Sequence, residues 1–151
     1  MCKNPIQIKD KDAFNYSKRI IFMRDPIDRF HSGFSHFHYI SSVGSHFDDM
    51  PKESLYIEGR GIQKDYEAYV DYALSNKNPH WIPQIEVMTH EGKFIPNVIH
   101  KLSDIKKVWG DYFTTGKLPW DNAWTRQETT DYRANDLLNY YKDDLELWGS
   151  L

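Results

Sequence analysis

Apolar residues fall along this chain in two rhythms, and the switch between them marks where a strand gives way to a helix. Arg19 to Met23 is a short β-branched and apolar run closed by Asp25-Pro26, which predicts a buried strand ending before the proline. A helix is expected at once, because Asp25 suits the cap, Pro26 the first helical position and Asp28 the first turn. Ile27, Phe30, Phe34 and Phe37 then recur three and four apart, so one stripe faces a core and Asp28, Ser32, Ser35 and His36 fall largely on other faces.

The same patterns recur downstream. From Asp65 to Ser75 the positions Tyr66, Tyr69, Val70, Ala73 and Leu74 follow helical spacing, and Asn76 with Asn78-Pro79 ends the run. Asn97 to Leu102 predicts a second buried strand, followed by a helix capped at Ser103 or Asp104 and carrying Ile105, Val108, Trp109 and Tyr112. A last helix is expected from Thr129 or Thr130 through Tyr141, with Leu137, Leu138 and Tyr141 inward, and then an apolar tail of Leu145, Leu147 and Trp148. Residues 41–62 and 114–127 predict long surface loops. Strands followed by helices place the chain in the α/β class, with a small parallel sheet and flanking helices.

Composition narrows this picture. A length of 151 residues predicts one domain spanning 1–151, and 15% aromatic residues supply bulky material for its core. A formal charge of −3 offers no broad attraction to nucleic acid or to an anionic membrane, so an anion site has to be local. Cys2 is the only cysteine, which excludes an internal disulfide and fits a reducing, cytoplasmic setting. No apolar run approaches the roughly 18 residues of a membrane span, and neither signal peptide nor anchor is expected.

The turn at Arg24 carries the chemistry. A strand ending in an arginine and turning into a helix concentrates positive potential through free backbone amides, the helix dipole and a guanidinium able to bind phosphate by two parallel hydrogen bonds. Ser32 lies seven residues after Asp25, two helical turns on and on nearly the same face, and Arg29 is a further candidate. On spacing alone, Arg24 could equally pair with a carboxylate and Ser32 be a surface hydroxyl.

The segment RIIFMRDPIDRFHSGFSHF resembles the 3′-phosphate-binding segment of sulfotransferases that use 3′-phosphoadenosine 5′-phosphosulfate (PAPS), especially the carbohydrate type, in which a strand leads into R-D-P-x-x-R-x-x-S-x-[FY]. DYEAYVDYAL, NPHWIPQ, NVIHKLSDIKKVW, LPWDNAW and YYKDDLELWG agree in order, diffusely, over most of the chain. The resemblance implies a truncated P-loop-like sulfotransferase fold in which Arg24 and Ser32 hold the 3′-phosphate while Asp25, Pro26 and Arg29 shape the turn. It further implies PAPS as co-substrate, without a metal, and transfer of sulfate to a hydroxyl of a carbohydrate-like acceptor. NPHWIPQ would then lie near the acceptor cleft, where His80 could hydrogen-bond a sugar hydroxyl and Trp81 stack on its ring. The plainer reading makes Trp81 core and His80 a loop cap.

The family places a strand, a lysine-containing loop gripping the 5′-phosphosulfate, and a helix upstream of this segment, whereas the 18 residues before Arg19 hold no Gly-Thr-rich loop. The usual upstream Glu or His base is missing there too, so the catalytic residue is unassigned, with His80 the one candidate. Two alternatives follow: a non-catalytic binding or assembly module, or half of a split enzyme in which a second chain or another copy of this one supplies the loop. An exposed edge strand and an apolar patch beside Ile20 to Phe22 would favour the latter.

Other clusters have plainer explanations. Thr114-Thr115-Gly116-Lys117 has the residue types of a phosphate loop, but Leu118-Pro119 follows where a helix should begin, which suits a turn. His31, His36 and His38 are close in sequence, yet positions 36 and 38 diverge by roughly 200° on a helix. Asp143-Asp144 and Glu146 read as a solvated face, and Trp109, Trp120, Trp124 and Trp148 as core or loop anchors.

Overall fold

The predicted strand, turn and helix are all present in the structure, a computed structural model describing residues 10–45, 50–113 and 129–151. After a single turn of helix, α1 (Asp10–Ala13), strand β1 (Ile20–Met23) leads into α2 (Pro26–Ser42). Helices α3 (Ile62–Ser75) and α4 (Gln84–Val87) come next, then a hairpin of β2 (Thr89–His90) and β3 (Lys93–Phe94). Strand β4 (Val98–Lys101) feeds α5 (Ile105–Tyr112), and α6 (Ala134–Tyr140) and α7 (Lys142–Gly149) close the chain.

β1 and β4 pair in parallel, Ile20 opposite Val98 and Met23 opposite Lys101, with α2 and α3 inside the long crossover that parallel pairing demands. The α/β class with a small parallel sheet and flanking helices is therefore the fold observed. β1 is less buried than predicted: Met23 is fully covered, but Ile20, Ile21 and Phe22 are half-buried. Among the described residues β1 has a single partner strand. A cleft of about 380 Å³ at the start of β1 is lined by Ile20, Ile21, Val87, Met88, Ile95 and Pro96.

The core lies between helices rather than on the sheet. Phe30, Phe34 and Phe37 of α2 meet Tyr66, Tyr69, Val70 and Ala73 of α3, with Trp81, Leu137 and Tyr141 closing the cluster. Rings of Phe30 and Phe34 sit 4.9 and 5.4 Å from that of Tyr69, in tilted contacts that aromatic pairs favour. Gly33 permits this approach, because a Cβ there would lie 3.3 Å from the Tyr69 hydroxyl.

Several expectations are corrected. Ser35 is buried rather than on an outer face; its hydroxyl donates to the His31 carbonyl at 3.0 Å, which satisfies it within the helix. The stretch from 41 to 62 is no plain surface loop, since Met50 and Leu55 enter the core around a 3₁₀ turn at Lys52–Ser54. Asp65 anchors that stretch: wholly buried, it accepts from the Arg60 Nε and the Ile57 amide and pairs with His38 Nε2 at 2.9 Å. The last helix begins at Ala134, because Arg133 is left-handed at φ 50°, and Leu138 is 48% exposed instead of inward. The expected tail is helix α7, and residues 114–128, including Thr114 to Lys117, Trp120 and Trp124, lie outside the described residues.

Candidate functional site

The turn at Arg24 to Asp28 is fixed from both sides. Asp25 is the cap, its Oδ1 accepting from the amides of Ile27 and Asp28 at 2.9 Å each, while the Arg29 amide donates to the Asp25 carbonyl. Pro26, with no amide to donate, is buried at the first helical position. These contacts correct the expectation of free backbone amides at this turn: Asp25 has taken them, and its carboxylate offsets the helix dipole. Recognition of an anion here falls to side chains.

Arg24 is exposed, and among the described residues its guanidinium has no partner; the carboxylate pairing left open by the sequence is not formed. Its backbone, by contrast, is held tightly. Gln84 Nε2 donates to the Arg24 carbonyl at 2.8 Å and the Arg24 amide donates to Gln84 Oε1 at 3.2 Å. Gln84 is itself positioned by Asp144, whose carboxylate accepts from the amides of Gln84 at 2.6 Å and Ile85 at 2.9 Å. Asp144 is completely buried, so the expectation of a solvated acidic face is wrong at this position. A buried carboxylate is tolerated because it caps the first turn of α4 with two charge-assisted hydrogen bonds.

Ser32 lies on α2 two turns beyond the cap, half-buried, and its hydroxyl has no partner among the described residues. Arg29 is placed differently. Its Nη1 and Nη2 donate to the carbonyls of Ile82 and Pro79, both at 2.8 Å, which binds the segment of residues 78–84 to α2. Trp81 is 1% exposed within the aromatic core, its Nε1 donating to the Asn76 carbonyl at 2.6 Å and its carbonyl accepting from the Tyr141 hydroxyl. An indole so placed cannot stack on a sugar. His80 is exposed; its amide donates to Asn78 Oδ1 at 3.0 Å and its ring meets Phe37 edge-on at 5.3 Å.

Burial shapes the chemistry of the tyrosines behind this segment. Desolvation pushes the hydroxyls of Tyr69 and Tyr141 well above the usual phenol range, against the opposing pull of the nearby Arg29 charge. Both are fixed as neutral packing groups. The histidines of α2 do not converge: His38 turns to Asp65 and His31 stacks on Tyr66 at 5.2 Å. Among the described residues no three His, Cys, Asp or Glu side chains come together in a metal-holding group. No helix among them is long and apolar enough to cross a membrane.

Sequence reasoning missed Gln84 and Asp144 as supports. A signal existed, since Asp144 shares the three- and four-residue spacing of Leu137, Tyr141 and Trp148, which put it on the inward stripe. What that spacing could not show was the partner, sixty residues away on α4.

The site thus presents a strand-to-helix turn held by the Asp25 cap and the Gln84 clamp, with an exposed guanidinium at Arg24 and a half-buried hydroxyl two helical turns on at Ser32. A search among curated proteins and among solved structures returns no match. The model of the sulfotransferase family matches residues 2–143, nearly the whole chain, and this protein belongs to the sulfotransferase family.

Proposed function

We propose that this chain binds PAPS and its product adenosine 3′,5′-bisphosphate through the turn at Arg24, in a transferase that moves the sulfuryl group to a hydroxyl of a carbohydrate-like acceptor. The observation that carries this reading is the contrast between the backbone and the side chain of Arg24. The peptide is clamped by Gln84, while the guanidinium and the Ser32 hydroxyl are left without protein partners among the described residues. A preorganised cation with no internal partner suits a phosphate that brings its own charge. Arg29 contributes at one remove, by holding residues 78–84 against α2.

In the transfer the acceptor oxygen forms a bond to sulfur as the bond from sulfur to the 5′-phosphate oxygen breaks, releasing adenosine 3′,5′-bisphosphate and leaving the hydroxyl proton for a base. We assign His80 to the acceptor side, since it is the exposed ionisable group on the segment that Arg29 secures. The grip on the 5′-phosphosulfate has to come from residues beyond those described. The edge of β1 not paired with β4 among the described residues is where a further strand would add, from this polypeptide or another.

Calorimetric titration with adenosine 3′,5′-bisphosphate tests the reading, with adenosine 5′-phosphate as the control for the 3′ group. Micromolar binding corresponds to about −8 kcal/mol. Arg24→Ala should remove on the order of 1.5 to 3 kcal/mol of it without changing the melting temperature. A folded chain that binds neither nucleotide, or binds both equally well with and without Arg24, would refute it.

A further inference from the structure

Lys101 occupies the end of β4 that lies beside the end of β1. The parallel register sets Lys101 opposite Met23, the residue before Arg24, so the two adjacent strands bring a lysine and an arginine to the same carboxyl end of the sheet. In open α/β sheets, ligands collect outside the carboxyl ends of the strands. Lys101 makes no ion pair among the described residues; its ammonium rests 4.2 Å from the centre of the Trp148 ring.

Both cations are tied to one face of α7. Asp144 positions Gln84, which clamps Arg24, and one helical turn later Trp148 carries Lys101. Positions four apart on a helix share a face, so one side of α7 is linked to both strand ends, to β4 directly through Trp148 and to β1 through Gln84. An ammonium on an indole keeps its charge but has no counter-ion, and its flexible four-carbon stem lets it leave the ring for a better partner. A phosphate is that partner.

We propose that Lys101 is a second cationic ligand for the phosphate held by Arg24, parked on Trp148 until the nucleotide arrives. This rests on the nucleotide reading above. It adds a specificity element, because a phosphate gripped from two strands discriminates more sharply between nucleotides with and without the 3′ group than one gripped by Arg24 alone.

The test titrates wild type, Lys101→Met and Lys101→Arg with adenosine 3′,5′-bisphosphate and with adenosine 5′-phosphate. Methionine keeps the apolar stem on Trp148, and thermal melting confirms that each variant is folded. Lys101→Met should weaken bisphosphate binding on the order of tenfold, as expected for one charge-assisted contact, and leave adenosine 5′-phosphate binding unchanged. Lys101→Arg should restore most of the loss, and the salt dependence of bisphosphate binding should become shallower in Lys101→Met. Wild-type binding that requires Arg24 yet is the same in Lys101→Met overturns this inference and leaves the nucleotide reading standing. Absence of bisphosphate binding by the wild type overturns both.

Discussion

The side-chain amide of Gln84 grips the peptide of Arg24 at two points, donating to its carbonyl at 2.8 Å and accepting from its amide at 3.2 Å. A primary amide offers both a donor and an acceptor on one plane, and it thus takes the place that a neighbouring strand would occupy at the end of β1. Replacement by leucine keeps the bulk and removes both hydrogen bonds. Gln84→Leu should cost about 1 to 2 kcal/mol in urea denaturation and should also weaken adenosine 3′,5′-bisphosphate binding, although Gln84 need not touch the ligand. An unchanged affinity in a destabilised Gln84→Leu would show that the clamp serves the fold alone.

Asp144 is expected to be the more expensive loss. Its two carboxylate oxygens receive the amides of Gln84 and Ile85 in a fully buried position, so Asp144→Ala strands two amides and opens a cavity between α4 and α7. Loss of hydrogen bonds to a buried charge predicts a destabilisation of about 3 kcal/mol. Asp144→Asn retains one carbonyl acceptor and should fall between wild type and alanine. Equal stability of alanine and asparagine, measured by chemical denaturation, would mean that the packing of α7, rather than the cap on α4, sets the cost.

How far these residues were legible depended on the range of the interaction. The turn at Arg24 could be read directly because Asp25 and Pro26 act on their immediate neighbours, and apolar spacing alone found the Phe30, Phe34, Phe37 stripe. The error over free amides was also local in origin: the residue correctly named as the cap is the one that takes the amides of Ile27 and Asp28. The spacing put Asp144 on the inward stripe, but its pairing with Gln84 was beyond reach, since hydropathy separates polar from apolar positions and says nothing about a partner sixty residues away. Leu138 was misplaced for another reason: it lies about 100° round the helix from Leu137, and the inward stripe runs through Leu137, Tyr141 and Asp144 instead.

Arg29 and Arg24 should separate cleanly by experiment despite lying five residues apart. Arg29 donates to the carbonyls of Pro79 and Ile82, whereas the guanidinium of Arg24 has no partner among the described residues. Arg29→Met should therefore lower stability by about 1 to 3 kcal/mol, through two carbonyls left without donors, and loosen the segment of residues 78–84. Amide hydrogen exchange should report faster exchange at Trp81 and Ile82, whose amides both donate to the Asn78 carbonyl. Arg24→Ala should change neither quantity. A reversal of this pattern would exchange the roles given to the two arginines.

The buried tyrosines make stability fall at high pH in a way that can be computed in sign. Desolvation raises the folded-state values of Tyr69 and Tyr141 above the unfolded-state value of about 10. Below pH 10 both states keep both protons and the contribution is constant. Above it the unfolded chain gives up two protons that the folded chain retains, so the unfolded state is favoured progressively, with a limiting slope of about 2.7 kcal/mol per pH unit for the pair. Phe substitution at Tyr69, whose hydroxyl is buried without a hydrogen-bond partner among the described residues, should remove half of that slope and leave neutral-pH stability undiminished. Tyr141→Phe should remove the other half at a cost near pH 7, because its hydroxyl donates to the Trp81 carbonyl. Denaturation curves between pH 7 and 11 would decide it. A wild-type stability that stays flat to pH 11 would mean that both phenols ionise within the folded protein and that the aromatic core admits water.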